Sequence, residues 1–191
     1  MLLTSVMVVT LLIGVGVAKE KDKVYKEPVE YEFQVIVGPA VVTYREETAK
    51  TITANWYRPA ESIYEFSVIL TLPGDYSIFY SYPESIDYTE TGYAKYDKVT
   101  REFYVEIETV ITFHLPGYDG ATLIDFCKAR VMYPGTPDAF SEGEFTLTGT
   151  GLFDKAKGGG TAGSWTIQLN PTIIHAYRFG EVTLGISPAI L

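Results

Sequence analysis

Two histidines, His114 and His175, and a single cysteine, Cys127, are the residues here whose chemistry operates near neutral pH. Cys127 lies in an apolar, strand-like run with no histidine near it in sequence. It reads as a small buried hydrophobe, and one cysteine cannot form an internal disulfide. His175 shares strand parity with Ile173, Tyr177 and Phe179, which predicts that it points inward. An interior lined by Trp165, His175 and Tyr177 would suit a small, largely apolar ligand with one or two hydrogen-bonding groups. The plainer alternative is a core histidine bonded to a backbone carbonyl. His114 falls on the opposite, outward parity of its own segment, with Glu102, Glu106 and Glu108. A catalytic zinc ion takes about three protein ligands, which two divergent histidines do not supply. Asp119, Glu142 and Glu144 could reach calcium, but acidic loops are ordinarily just solvated. No metal and no cofactor is expected. The run Gly158–Gly160 lacks the Lys-Ser/Thr and the helix of a phosphate loop. Nucleotide-binding glycine fingerprints, the serine elbow and the zinc-protease motif are also missing. The residues name no catalytic group, and the reading leans away from an enzyme.

The stretch that must position these groups is Gly143–Leu169. Phe145, Leu147, Gly149, Gly151 and Phe153 share one parity, and Gly163, Trp165, Ile167 and Leu169 another. That period of two predicts two strands, joined by a turn at Lys155–Gly160. Glycine inside a strand marks a bulge, a corner or a close backbone approach, so the sheet is expected to coil tightly here.

The remainder alternates in the same way. Tyr31–Val37 predicts a first strand, Ala40–Tyr44 and Thr51–Tyr57 a pair around a charged turn, and Ser62–Leu72 and Tyr76–Tyr82 two more. Ser85–Asp97 reads as a hairpin or a loop. Val99–Leu115 is long enough to call for a bend or bulge. In Ala121–Tyr133 the alternation slips near Phe126-Cys127, which calls for another. Thr172–Phe179 and Glu181–Ile186 close the series, with a turn at Gly180. No segment holds a helical period. The fold class is all-β: a single antiparallel barrel or sandwich of eight to ten strands.

Met1–Ala18 is apolar and uncharged, and Lys19–Lys23 ends it abruptly. The chain thus divides into residues 1–18, a signal peptide or membrane anchor; 19–29, a charged tether; and 30–191, one β-domain. A length of 191 residues, 47% of them hydrophobic, suits one domain with a real core. The net charge of −9 argues against nucleic acid, and membrane contact is expected only through an uncleaved N-terminus. Asn55, Asn170, Gln34 and Gln168 are the only side-chain amides, a scarcity that fits a protein working hot.

The segment Thr148–Thr161, TGTGLFDKAKGGGT, resembles the G-T-G-x-F-x-x-A-x-G-x-G-T pattern of the dirigent and allene-oxide-cyclase-like secreted barrels. The resemblance implies an eight-stranded antiparallel barrel whose adjacent strands this pattern joins, and carries no catalytic residue across. Three roles follow for a secreted or surface-attached domain. It could bind a small apolar ligand in its interior. It could self-associate through edge strands, with Tyr31–Val37 or Val182–Ile190 as candidates. By the resemblance it could be an isomerase or cyclase, which needs a titratable pocket group of perturbed pKa. A fourth role, stacking sugars on the tyrosines crowded between Tyr76 and Tyr96, competes with core filling.

Overall fold

A computed structural model of the chain describes residues 27–114 and 120–186. The apolar segment 1–18 and nearly all of the charged tether lie outside the described residues. The strands are β1 (Val29–Val37), β2 (Val41–Glu47), β3 (Thr51–Arg58), β4 (Ile63–Leu72), β5 (Tyr76–Ser81), β6 (Ile86–Asp97), β7 (Phe103–Phe113), β8 (Ala121–Met132), β9 (Phe140–Thr150), β10 (Lys157–Leu169) and β11 (Thr172–Thr183). All eleven belong to one antiparallel sheet in the order β2-β3-β6-β7-β8-β9-β10-β11-β1-β4-β5. This exceeds the eight to ten strands expected, and one continuous sheet replaces the sandwich alternative.

The sheet curls so that β4 and β5 face β6 and β7 across the interior. Phe66 meets Tyr88 at 4.6 Å between ring centroids, and Tyr80 meets Phe113 at 5.0 Å. Side chains, not a hydrogen-bonded ladder, fill that seam. Alternation works as strand physics requires: Tyr31, Phe33, Val35 and Val37 of β1 are buried, as are Phe66, Val68, Leu70 and Leu72 of β4. Ile86 and Tyr88 of β6 join them, so Ser85–Asp97, expected as a hairpin or a loop, forms a full strand from Ile86 on, whose first half reaches the core.

Several expectations fail for identifiable reasons. β1 is not an edge: it hydrogen-bonds to β11 on one side and β4 on the other. Val182 and Thr183 are likewise inside the ladder, and residues 187–191 lie outside the described ones. The edges are β2 and β5. β7 is paired without a register shift on either side, so it has no bulge, and Val99 sits in the exposed turn before it. β8 has no bulge either. Its inward residues run Leu123, Asp125, Cys127, Ala129; a charge on the buried parity is what made the alternation look slipped. Gly180 is no turn, since β11 runs through it. The triplet Gly158–Gly160 belongs to β10, while a short 3₁₀ turn at Gly151–Phe153 begins the reversal from β9.

The close approach predicted for the glycine hairpin is present. A Cβ on Gly160 would overlap the Phe179 carbonyl oxygen, and one on Gly159 the Phe145 carbonyl oxygen. Gly160 pairs directly with Gly180, so the backbones of β10 and β11 close in with no side chain between them.

A candidate binding pocket

The concave face of the sheet encloses a cavity of about 290 Å³. Val35 and Val37 (β1), Val105 and Ile107 (β7), Ala129 (β8), Ile174 and Ala176 (β11) form much of its wall. Each of these strands turns its apolar parity toward the same enclosed space. Against that wall stand three charged residues, Arg58, Glu90 and Arg178.

The charges follow from register. Arg58, Glu90, Thr109 and Asp125 are successive cross-strand partners on β3, β6, β7 and β8, so one inward row carries a polar band through an otherwise apolar lining. Glu90 Oε1 accepts from Arg58 Nε at 3.0 Å, and a second guanidinium nitrogen of Arg58 donates to the Gly38 carbonyl. Asp125 Oδ1 accepts from Arg178 Nε at 3.0 Å; Arg178 Nη1 donates to the Tyr177 carbonyl, also at 3.0 Å. The Arg178 guanidinium lies 4.9 Å above the Phe33 ring. Asp125 is fully buried behind Arg178 and does not reach the cavity. Its Oδ2 has no partner, nor do the buried hydroxyls of Tyr31, Tyr88 and Thr109.

Burial pushes Asp125 up to about 6, with Arg178 pulling the other way and Glu90 adding to the rise. Cys127, inside the wall, is pushed up to about 11 by burial and is therefore a thiol, not a nucleophilic thiolate. The sign for Asp125 is unusual. Its folded pKa exceeds the ordinary value of 3.8, so the folded state takes up a proton that the unfolded chain still releases. Asp125 should therefore contribute a rise in stability as pH falls from 7 through about 6 toward 4. Below that, stability should fall, because Glu47, bonded to Lys98, and Asp97, bonded to the backbone N–H groups of Thr100 and Val99, are held below their usual values. Denaturant titrations across pH 3–8 check this, and a monotonic loss of stability from pH 7 downward would contradict it.

Trp165, His175 and Tyr177 are brought together, and of the three only Trp165 lines the concave pocket. Trp165 stacks on His175 at 4.1 Å and lies 5.9 Å from Tyr177. His175 and Tyr177 lie on the convex face, and Trp165 also borders the pocket. Val35 pairs with Ala176 and Phe33 with Arg178, so the even residues of β11 point inward and His175, Tyr177 and Phe179 point out. Trp165 is 47% exposed. The inversion has a physical cause: the inner face of β11 packs against the large β1 rings and must supply Arg178 to Asp125, so small Ala176 goes in and the rings go out.

A solved structure of a pterocarpan synthase dirigent protein is similar to this chain, with 16% identity over 83% of this chain and 90% of that one and a TM-score of 0.40. No family model and no curated protein matches. At that identity and score the likeness bears on no residue of the pocket.

The residues the sequence reading passed over are Arg58, Glu90, Asp125 and Arg178. A signal for two of them was present: Asp125 stands between Leu123 and Cys127, and Arg178 between Ala176 and Gly180, both on inward parities. Buried charges demand partners, so two lone charges of opposite sign on apolar faces imply each other. Among the described residues, no group of three or more His, Cys, Asp or Glu is placed to hold a metal ion, and no helix is long and apolar enough to cross a membrane.

Proposed function

We propose that this chain is a non-catalytic binding protein for a small, largely apolar molecule held in the concave pocket. The observation that carries the reading is the cavity of about 290 Å³, walled by aliphatic, aromatic and small side chains, with charge confined to Arg58, Glu90 and Arg178. Apolar walls supply affinity through burial, and a few fixed polar groups orient the ligand. The cyclase alternative is less well supported. Asp125 has the perturbed pKa that proton transfer would use, but it is walled off behind Arg178. Glu90 does line the pocket, and its carboxylate is committed to Arg58. Strand-edge assembly is less well supported at one of the two edges, since β2 carries Arg45, Glu46 and Glu47, charges that oppose further pairing. The apolar run Met1–Ala18 supports placing this binding outside the cell or at its surface.

N-phenyl-1-naphthylamine, a neutral apolar fluorophore, tests the pocket. It should bind saturably at one site per chain. Ala176→Phe, which projects a ring into the cavity, should weaken it at least tenfold while leaving the circular dichroism spectrum intact. Absence of saturable binding, or equal binding by the variant, would overturn the reading.

A further inference from the structure

The convex face of β11, β1, β4 and β5 carries a second depression, independent of the pocket. Outward side chains form a lattice fixed by register. One row reads Trp165, His175, Ile36, Glu65; the next reads Gly163, Tyr177, Gln34, Ser67, Ser81; the third reads Thr161, Phe179, Glu32, Ile69, Phe79. The middle row is small and polar over β1, β4 and β5, so it forms the floor of a trough of about 290 Å³. Aromatic side chains rise on both sides. Tyr64, 50% exposed, is turned outward at the irregular pairing between Ile36 and Val37, and its ring lies over Gly38. Phe79, on the opposite rim, is 62% exposed.

The polar groups of this trough are only partly used. Gln34 Oε1 lies 3.3 Å from His175 Nε2, and its amide nitrogen donates to Glu32. Among the described residues no hydrogen bond engages the Glu65 carboxylate or the Ser67 hydroxyl, and Glu65 acts on His175 only through its charge. The lining contains one acid and no Lys or Arg. We infer that this trough is a carbohydrate-binding site for neutral glycans.

The chemistry of a sugar ring matches the lattice. Its C–H faces pack on exposed aromatic rings, and its edge hydroxyls both donate and accept, as Glu65, Ser67 and the Gln34 amide require. Rings and floor are held by paired strands, so little freedom is lost on binding. A second copy of the chain fits less well: a flat sheet laid across the trough would strip water from Glu65 and Ser67 without replacing their hydrogen bonds. An acidic glycan would meet Glu65 and the neighbouring Glu32 with no cation in the lining.

Affinity electrophoresis of the intact domain through gels containing soluble β-1,3-glucan, mannan or alginate tests this, with isothermal titration of chitin oligosaccharides alongside. Retardation by at least one neutral glycan, and none by alginate, is expected. Tyr64→Ala and Phe79→Ala, both at exposed positions, should each weaken it about tenfold and leave naphthylamine binding in the concave pocket unchanged. No neutral glycan bound, retardation undiminished in both variants, or a concentration-dependent dimer abolished by the same variants would overturn the assignment. Failure here with naphthylamine binding intact would leave the pocket reading standing.

Discussion

At pH 8, where Asp125 is ionised, Asp125→Leu should lower the unfolding free energy by about 3–5 kcal/mol, because it strands Arg178 as a buried charge that cannot shed its proton. For a domain of this size that corresponds to a melting temperature lower by roughly 10 °C or more. Arg178→Met is expected to be milder below pH 6 and severe above it. The Asp125 left behind can take a proton, which its burial already favours. The double variant Asp125→Leu/Arg178→Met removes both charges and should recover to within about 1 kcal/mol of the parent, since a buried ion pair replaced by apolar groups of similar size is commonly near neutral. Chemical denaturation of the four proteins at pH 5 and pH 8 forms the cycle. If the double variant is as unstable as Asp125→Leu, the pair is held by something other than mutual compensation. Loss of stability without any pH dependence in Arg178→Met would likewise contradict the account of Asp125.

Gly160→Ala should destabilise by about 3 kcal/mol through overlap alone. Gly160 has no positive φ, so no backbone conformation is lost. The added methyl instead meets the Phe179 carbonyl and the Gly180 Cα, which belong to a neighbouring backbone and cannot swing aside. Gly180→Ala should behave alike, its methyl meeting Gly159. The two should be strongly sub-additive, because once β10 and β11 are forced apart the second methyl enters space already opened. Gly74→Ala is the contrast. Nothing lies within 4 Å of a Cβ there, so only the strain at its φ of +94° remains, about 1 kcal/mol. Thermal melts of the parent, the three single variants and the Gly160→Ala/Gly180→Ala double variant decide the matter. Equal effects at Gly74 and Gly160 would show that the pinch is not what these glycines provide.

Much of the architecture was legible because strand alternation reports which face is buried. Tyr31 to Val37 and Phe66 to Leu72 read correctly because every inward residue is apolar. The same rule failed at β8 and β11, where the inward set includes a charge. At β8 Asp125 broke the pattern and suggested a bulge that is not there. At β11 the aromatic set His175, Tyr177, Phe179 looked more buried than Ile174, Ala176, Arg178, so the strand was read inside out and His175 and Tyr177 were assigned to the pocket that Trp165 alone of the three lines. Hydrophobicity ranks side chains one at a time, whereas Arg178 is buried only because Asp125 awaits it on another strand. The edge strands were missed for a related reason. Which strand lies beside which is a property of pairing, and β1 carries no mark of having β11 as its neighbour.

That neighbour relation governs the order of assembly. Val29–Val37 bonds on one side to β4, made soon after it, and on the other to β11, the last described strand to be synthesised. While the chain is emerging from the ribosome, β1, β4 and β5 can form a three-stranded fragment, but its free margin has nothing to join. Closing such a distant contact costs loop entropy that only the finished ladder repays. The two parts of the sheet are thus joined through backbone hydrogen bonds only once Thr172–Thr183 arrives, and the lining of the pocket, contributed by both, is completed with that strand.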